Sequence, residues 1–462
     1  MVRARFFSVE SRQRLVNSSK KPRLTSPPGR KRVRFVLAFV IFAVPAIPQD
    51  LPPDVLLLSR VKYHIKQELQ KLKNISCLET VRRERQPPKG KMRPLDTVRL
   101  EVLFDGRKEF FASPGARKFA EENPIKFVGS GTIADGAFAG YLSDIVLNES
   151  ISTHYQGEEN SGGRQLARYD YRLPVLWSGN TIRIPQGSGT VGLHGSYWVD
   201  PQTYDVVRLE VNADDIPPTL PIAELMTRIN YAPASLKNDL VVLLPESAEL
   251  RLARFNGEIS RNRTEFTHCR VFGTDSTISF DAPGAAEQTP RFGVSSVDDT
   301  LRPLPEGLQI TVRLRSRITG DLAVGAQIDG LVAGNVPGKG TVVIPAGSPV
   351  RGRIRRLEHY TDPFPYFVVA LEFTEVELQR IRYRFYADPV DIEPIAGLEQ
   401  KLWTKGDDDN RGLLGGGQLI TQHKENLFLP DLPGVAVFFF KSVRLDLPQG
   451  FRTVWKTRAL KP

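Results

Sequence analysis

Residues 97–104 read TVRLEVLF, with Val98, Leu100, Val102 and Phe104 alternating with Arg99, Glu101 and Leu103. A period of two sends successive side chains to opposite faces of an extended chain, so this is a strand with one apolar face. The same alternation returns in YDVVRLEVNA (204–213), AELRLARF (248–255) and EFTHCRVF (265–272), with turn residues between them. Ahead of these strands lies PPDVLLLSRVKYHIKQELQKLKN (52–74), where Val55, Leu58, Val61, Ile65, Leu69 and Leu72 recur at helical spacing opposite Lys and Gln. That stripe, with Pro53 in the first turn, marks one amphipathic helix. A second helical patch, DGAFAGYLSDIVLN (135–148), places Phe138, Tyr141, Leu142 and Ile145 on one face, with Asp135 expected as its N-cap. Residues up to 282 therefore read as a helix, a large antiparallel sheet and a helical insertion laid against it.

The region 283–305, PGAAEQTPRFGVSSVDDTLRPLP, has turn composition without a period and reads as a linker. Strands follow in LQITVRLRSRI, TVVIPAGSPVRGRIRRLE, PYFVVALEFTEVEL, RIRYRFYADPV, VAVFFFKSVRLDLP and GFRTVWKT, with no strong helix among them. The expected fold class is mainly β: an α+β domain over 47–282 and an all-β barrel or sandwich over 306–462. Between its strands, WTKGDDDNRGLLGGGQ (403–418) reads as a loop.

The 462 residues carry a formal net charge of +11, which on its face suggests nucleic acid. Residues 1–34 hold eleven basic residues against Glu10 alone, so the remaining chain is nearly neutral. A domain of that kind has no built-in field for phosphate backbones, and nucleic acid is not an expected partner. After RKRVR comes FVLAFVIFAVPA (35–46), an apolar run with small residues at its end. Basic flank, short apolar run and Val44-Pro45-Ala46 fit a secretory signal cut near Ala46, the alternative being an uncleaved anchor. The run falls short of the roughly 20 apolar residues that span a bilayer. The expected location is the periplasm or cell envelope, with peripheral or no membrane contact after cleavage. In that compartment the only two cysteines, Cys77 and Cys269, read most simply as one disulfide.

Signals for catalysis are thin. GSGTIADGAFAG (129–140) is glycine-rich, yet its antiparallel surroundings favour a turn into the helix over a phosphate loop. Asp407, Asp408 and Asp409 lack the alternate spacing of calcium ligands, and the six histidines show no metal-ligand spacing. Ser161 and Ser188 have no nucleophile-elbow context. Asp214 and Asp215 are paired carboxylates, but neighbours on a strand point apart. Arg351, Arg353 and Arg355 alternate along one strand beside Arg356 and read as an exposed sheet face. No cofactor and no metal site are expected.

Two stretches resemble known families. The N-terminal amphipathic helix, the long alternating strands with a helical insertion, and SYWVDPQTYDVVRLEV (196–211) together resemble the LolA-type half-open β-barrel of envelope lipid and lipoprotein carriers. LVVLLPESAELRL and RNRTEFTHCRVF are similar to the final strands of exported bacterial proteins of this kind, particularly from Acidobacteria. The resemblance implies a helical lid and a concave face for an acyl chain or apolar peptide, for which Val98, Leu100, Val102, Leu209, Val211, Leu250 and Leu252 are the candidate residues. VVIPAGSPVRGRI (342–354), preceded by GDLAVGAQIDGLV, resembles the TrbI-family β-barrel of conjugation and secretion channels, where Ile-Pro-Ala-Gly links two strands. The expected role is non-catalytic: binding an envelope lipid or lipoprotein, or serving an envelope protein partner as an assembly module. The rivals are an exported hydrolase acting on an envelope polymer and a secretion-channel-associated subunit.

Overall fold

The structure, a computed structural model, describes residues 52–115, 119, 121–184, 187–236, 239–272, 301–338, 342–361, 364–393, 402–403 and 434–459. The basic segment and export signal expected over 1–46, most of the 283–305 linker and the loop holding Asp407, Asp408 and Asp409 lie outside the described residues.

The first half begins with α1 (Pro53–Lys71), in which Val61, Ile65 and Leu69 are buried as their spacing demands. Its strands are β1 (Ile75–Gln86), β2 (Arg93–Phe104), β3 (Glu109–Ala112), β4 (Ser152–Ser161), β5 (Arg164–Leu173), the short pair β6 (Thr181–Ile184) and β7 (Gly187–Thr190), β8 (Gly192–Val199), β9 (Val206–Asp214), β10 (Ile222–Ser235), β11 (Val241–Arg254) and β12 (Ile259–Val271). Ten of these form one antiparallel sheet in the order β3-β2-β1-β12-β11-β10-β9-β8-β5-β4. The register lines up Tyr169, Tyr197, Leu209, Ile229, Ala248, Thr264, Val81 and Val98 in a single row across eight strands. The next row on the same face runs Tyr171, Gly195, Val211, Thr227, Leu250, Asn262, Arg83 and Asp96. Ion pairs lace the opposite face, among them Arg228–Glu210 at 2.8 Å and Arg261–Glu84 at 2.7 Å. This matched outer face accounts structurally for the near-neutral charge of the chain beyond residue 34.

The sheet curls into a half-barrel around α1. Helix and sheet are tied by polar contacts as well as apolar ones: the Tyr169 hydroxyl donates to the Asp54 carbonyl, His64 meets Asp205 at 2.7 Å, and the buried Glu68 carboxylate accepts from the Leu243 N–H at 3.0 Å. The second helix, α2 (Gly140–Val146), is half the length its apolar pattern suggested and packs inside the half-barrel against α1. Asp135 is not its N-cap. The cap residue is Ala139, and the orphan N–H groups of Gly136, Ala139 and Gly140 are taken instead by the Glu109 carboxylate of β3, at 2.8, 2.8 and 3.0 Å. A strand acid thus replaces a local cap, and α2 with the loop before it forms a plug in the concave face.

Cys77 and Cys269 form a disulfide across adjacent strands, at a bulge where the β1–β12 register shifts. It joins the first strand of the sheet to the last.

The second half contains β13 (Arg302–Pro303), β14 (Gln309–Leu314), β15 (Ile318–Thr319), β16 (Gln327–Val332), β17 (Val336–Pro337), β18 (Val342–Ile344), β19 (Pro349–Tyr360), β20 (Tyr366–Leu378), β21 (Ile381–Arg384), β22 (Ala387–Ile392), β23 (Leu402–Trp403), β24 (Val435–Lys441), β25 (Asp446–Leu447) and β26 (Arg452–Thr457). The main path is β13-β21-β20-β19-β16-β14-β26-β22. β20 is long enough to pair β24 along its first half and β21 along its second. Asp388 of β22 accepts from the Gly434 N–H just before β24 at 3.0 Å, which brings the path back on itself as a barrel. The interior is filled: Trp455 meets Phe373 and Phe385 edge-on at 5.4 and 5.9 Å, and Phe438 meets Phe451 at 5.4 Å. The Pro345–Ser348 turn joins β18 to β19, as the Ile-Pro-Ala-Gly pattern suggested.

The two halves are welded together. β3 covers β2 only from Glu101 onward, which leaves the earlier edge of β2 unpaired. Val324 takes that edge, accepting from the Arg99 N–H at 3.0 Å and donating to the Thr97 carbonyl at 2.8 Å. Gly325 fits there because a Cβ would lie 2.6 Å from the Arg99 carbonyl oxygen. Of the alternating arginines of β19, Arg351 stays at the surface, but Arg353 and Arg355 are not a solvent face. Arg353 donates to the Ser113 hydroxyl and Arg355 to the Lys126 carbonyl, while a bulge between Ile354 and Arg356 turns Arg356 fully inward. There it makes a bidentate pair with the buried Glu358, at 3.1 and 2.6 Å. Tyr360 donates to Glu358 and meets the Ser130 hydroxyl at 2.8 Å, and Ser130's carbonyl accepts from Arg83, itself bidentate to Asp96. Two arginines and two carboxylates thus balance inside the junction. Although burial pushes the Glu358 carboxyl up, Arg356 and Arg83 hold it below the usual carboxylate range.

Candidate functional site

All seven residues expected on the concave face do share one face of the sheet, and all are buried. Val98, Leu100, Val102, Leu209 and Leu252 sit in the general core. Only Val211 and Leu250 border open space, because α1, α2 and the loop ahead of α2 occupy the rest.

That space is a cleft in two adjoining parts that share Ala134, Asp135, Tyr141, Thr227 and Leu250. The first, of about 20 Å³, is bordered by Glu79, Asn262 and Thr264 on the strand side and Ile133 on the plug side. The second, of about 30 Å³, is largely apolar, with Ile182, Val191, Leu193, Val211 and Leu225 in its wall. Each part as it stands has room for water-sized groups rather than a chain. Sequence reasoning missed the polar residues of this cleft. A signal existed: Glu79 has the same parity on β1 as Cys77 and Val81, so an acid stands in an apolar row.

Glu79 is 5% exposed, and its side chain has no hydrogen bond or ion pair among the described residues. Burial first, then the carboxylates of Glu109 and Asp135, push its pKa up to about 8. Asp144 of α2 is pushed up to about 7 by burial and by Glu109. Burial also raises Glu109, against the pull of the backbone N–H groups it caps, and raises the Tyr141 and Tyr231 hydroxyls. The half-barrel therefore encloses carboxyl groups whose burial favours the neutral form, in a setting where a neutral carboxyl can donate a hydrogen bond.

The residues beside the cleft continue to the surface. Asn180 and Thr181 line it, and just before them Leu176 and Trp177 stand 80% and 64% exposed. A larger cleft of about 110 Å³ lies at the junction of the two halves, between Arg85, Pro87, Pro88, Arg93, His359 and Thr361. It is outside the concave face. Asp214 and Asp215, the paired carboxylates of the hydrolase reading, border none of these clefts: Asp214 is held by Arg172 at 2.9 Å and Asp215 sits in the following turn with φ of 52°.

No protein-family model matches the chain, and no curated protein matches it. Among solved structures, the chain is similar to a DUF1329 family protein from Desulfovibrio piger, at 14% identity over 48% of this chain and 94% of that one, with a TM-score of 0.24. It is similar to a LolA superfamily protein from Nitrosomonas europaea, at 9% identity over 46% of this chain and 94% of that one, TM-score 0.23. It is also similar to ComB10 of the Com type IV secretion system of Helicobacter pylori, at 13% identity over 34% of this chain and 88% of that one, TM-score 0.18.

Proposed function

We propose that this is a non-catalytic, exported protein of the bacterial cell envelope whose half-barrel binds the apolar part of an envelope amphiphile, such as a lipid or a lipoprotein acyl chain. The observation that carries the reading is the apolar half of the cleft, where Ile182, Val191, Leu193, Val211 and Leu225 leave space on the concave side of an otherwise filled sheet. The ligand enters by displacing the plug ahead of α2, which walls the cleft opposite the sheet together with Thr181 and Ile182 of β6. Leu176 and Trp177, exposed at its border, form an apolar tip of the kind that touches a lipid surface. Export is supported by the expected signal over 35–46 and by the Cys77–Cys269 disulfide, a bond characteristic of oxidising compartments. The second half acts as a rigid brace, its interior packed with Trp455, Phe373, Phe385 and Phe438.

The test is native mass spectrometry, with lipid extraction, of the full chain purified from its own envelope. A bound hydrophobic species that a detergent wash exchanges is the expected result. Protein that is empty from every preparation, and that takes up no offered lipid, refutes the proposal.

A further inference from the structure

We infer that the polar half of the cleft receives a primary ammonium group, so that the ligand of the half-barrel is a cationic amphiphile. The inference rests on the reading of the cleft as a ligand site and adds the chemistry of the head group. Glu79 is the central observation: a carboxyl that is almost wholly removed from solvent, borders open space and has no partner among the described residues. A buried acid without a partner loses its hydration if it ionises, and an ammonium group in the same space supplies the missing counter-charge.

The surroundings select the sign of the ligand. Facing the cleft are Glu79 from β1, Asp135 from the loop ahead of α2 and Tyr141 from α2, while Glu109 of β3, Asp144 of α2 and Tyr231 of β10 are coupled to them electrically. No Lys, Arg or His borders either part of the cleft. Arg83, four residues beyond Glu79 on the same face of β1, is committed to Asp96 and Ser130. An anionic head group would meet no cationic side chain here and would lie beside Glu79 and Asp135, whereas a cation is drawn in.

Donor number narrows the cation. Glu79, Asn262 and Thr264 belong to the sheet and stay in place when the plug moves, and they offer acceptors to the N–H groups of –NH₃⁺, which a trimethylammonium group lacks. The three donors of an ammonium group match Glu79, the Asn262 amide oxygen left over once its NH₂ binds the Thr132 carbonyl, and the Thr264 hydroxyl. Among the described residues no three His, Cys, Asp or Glu side chains are arranged to hold a metal ion. With the plug displaced, the alkyl chain runs past Val211 and Leu225 in the adjoining apolar part. On binding, neutral Glu79 gives its proton to solvent and pairs with the ammonium, so one proton leaves for each ligand that enters below the titration of the free carboxyl.

The experiment is calorimetric titration of the full chain with dodecylamine, dodecanol and dodecanoate, each below its micelle concentration, across pH 6–9. Expected are an amine preference of at least about tenfold over the alcohol at pH 8, no dodecanoate binding, and amine affinity that rises about tenfold per pH unit below the Glu79 titration and levels off above it. Glu79→Gln should bind the alcohol as before and lose the preference for the amine. Equal affinity for amine and alcohol, or a preference that survives Glu79→Gln, overturns the ammonium site and leaves the hydrophobic reading standing. Failure of all three probes overturns both. The pH dependence of the wild type decides the matter on its own should the variant fail to fold.

Discussion

Replacing Glu79 by Gln keeps the size of the side chain and removes only its titration. In the folded protein the carboxyl is raised from 4.5 to about 8 by burial and by Glu109 and Asp135. Each pKa unit corresponds to ~1.4 kcal/mol, so the shift amounts to ~5 kcal/mol of preference for the neutral form. The sign follows from proton counts: between pH 4.5 and 8 the native state holds a proton at Glu79 that the unfolded chain has lost. Stability of the wild type therefore falls as pH rises through that window, by up to ~1.4 kcal/mol per unit, and is flat above it. Glu79→Gln lacks the Glu79 contribution to this slope and keeps only that of the other buried carboxyls. The difference in unfolding free energy, variant minus wild type, should grow from about zero near pH 4.5 to ~3–5 kcal/mol at pH 8.5, with the lower figure if water enters the cleft. Urea unfolding followed by tryptophan fluorescence at a series of pH values, with the disulfide intact, gives this difference directly. Parallel stability curves for the two proteins across that range would show an ordinary, hydrated carboxylate at position 79 and would refute the account of the cleft.

Removing the disulfide through the paired change Cys77→Ser and Cys269→Ser frees a loop of 192 residues, for an expected loss of about 2–5 kcal/mol, read from urea midpoints against the wild type with and without reductant. Glu358→Gln removes the carboxylate that is bidentate to the buried Arg356 and should cost about 3–5 kcal/mol, whereas Arg356→Met with Glu358→Leu together should recover most of it; thermal unfolding of both variants decides. Gly129→Ala places a Cβ 2.0 Å from the Arg356 Nε and should destabilise the same junction, with a lowered unfolding midpoint as readout. Leu176→Ser with Trp177→Ser should slow ligand uptake from lipid vesicles without altering affinity for dispersed ligand, measured by a fluorescent fatty amine.

The elements that the sequence displayed best are those whose partners are water on one side and core on the other. α1 and the long strands follow directly from a period of 3.6 or 2, and Val98, Leu100 and Val102 lie together where that period puts them. What stayed hidden depends on partners distant along the chain. α2 is capped by Glu109, some thirty residues earlier on a strand, so Asp135 looked like the cap by proximity alone. Arg356 reads as one more basic residue in a charged strand, and only the bulge beside Ile354 and the approach of Gly129 reveal it as buried. Glu79 carried a faint signal in its parity, but emptiness beside a side chain is a property of the whole sheet and no local pattern encodes it.

β1 lies third from one edge of its sheet, between β2, its neighbour in the chain, and β12, which arrives some 180 residues later. A chain emerging from its N-terminus therefore makes the β1–β2 hairpin early and then holds one flank of β1 open until nearly the whole half-barrel has been delivered. Contacts of such sequence separation make folding slow, because the loop entropy is spent before the pairing repays it. Through that interval the waiting strand edge is exposed to mispairing. The last strand therefore acts as a completion signal: its arrival closes the sheet and brings the two sulfurs into reach in the same event.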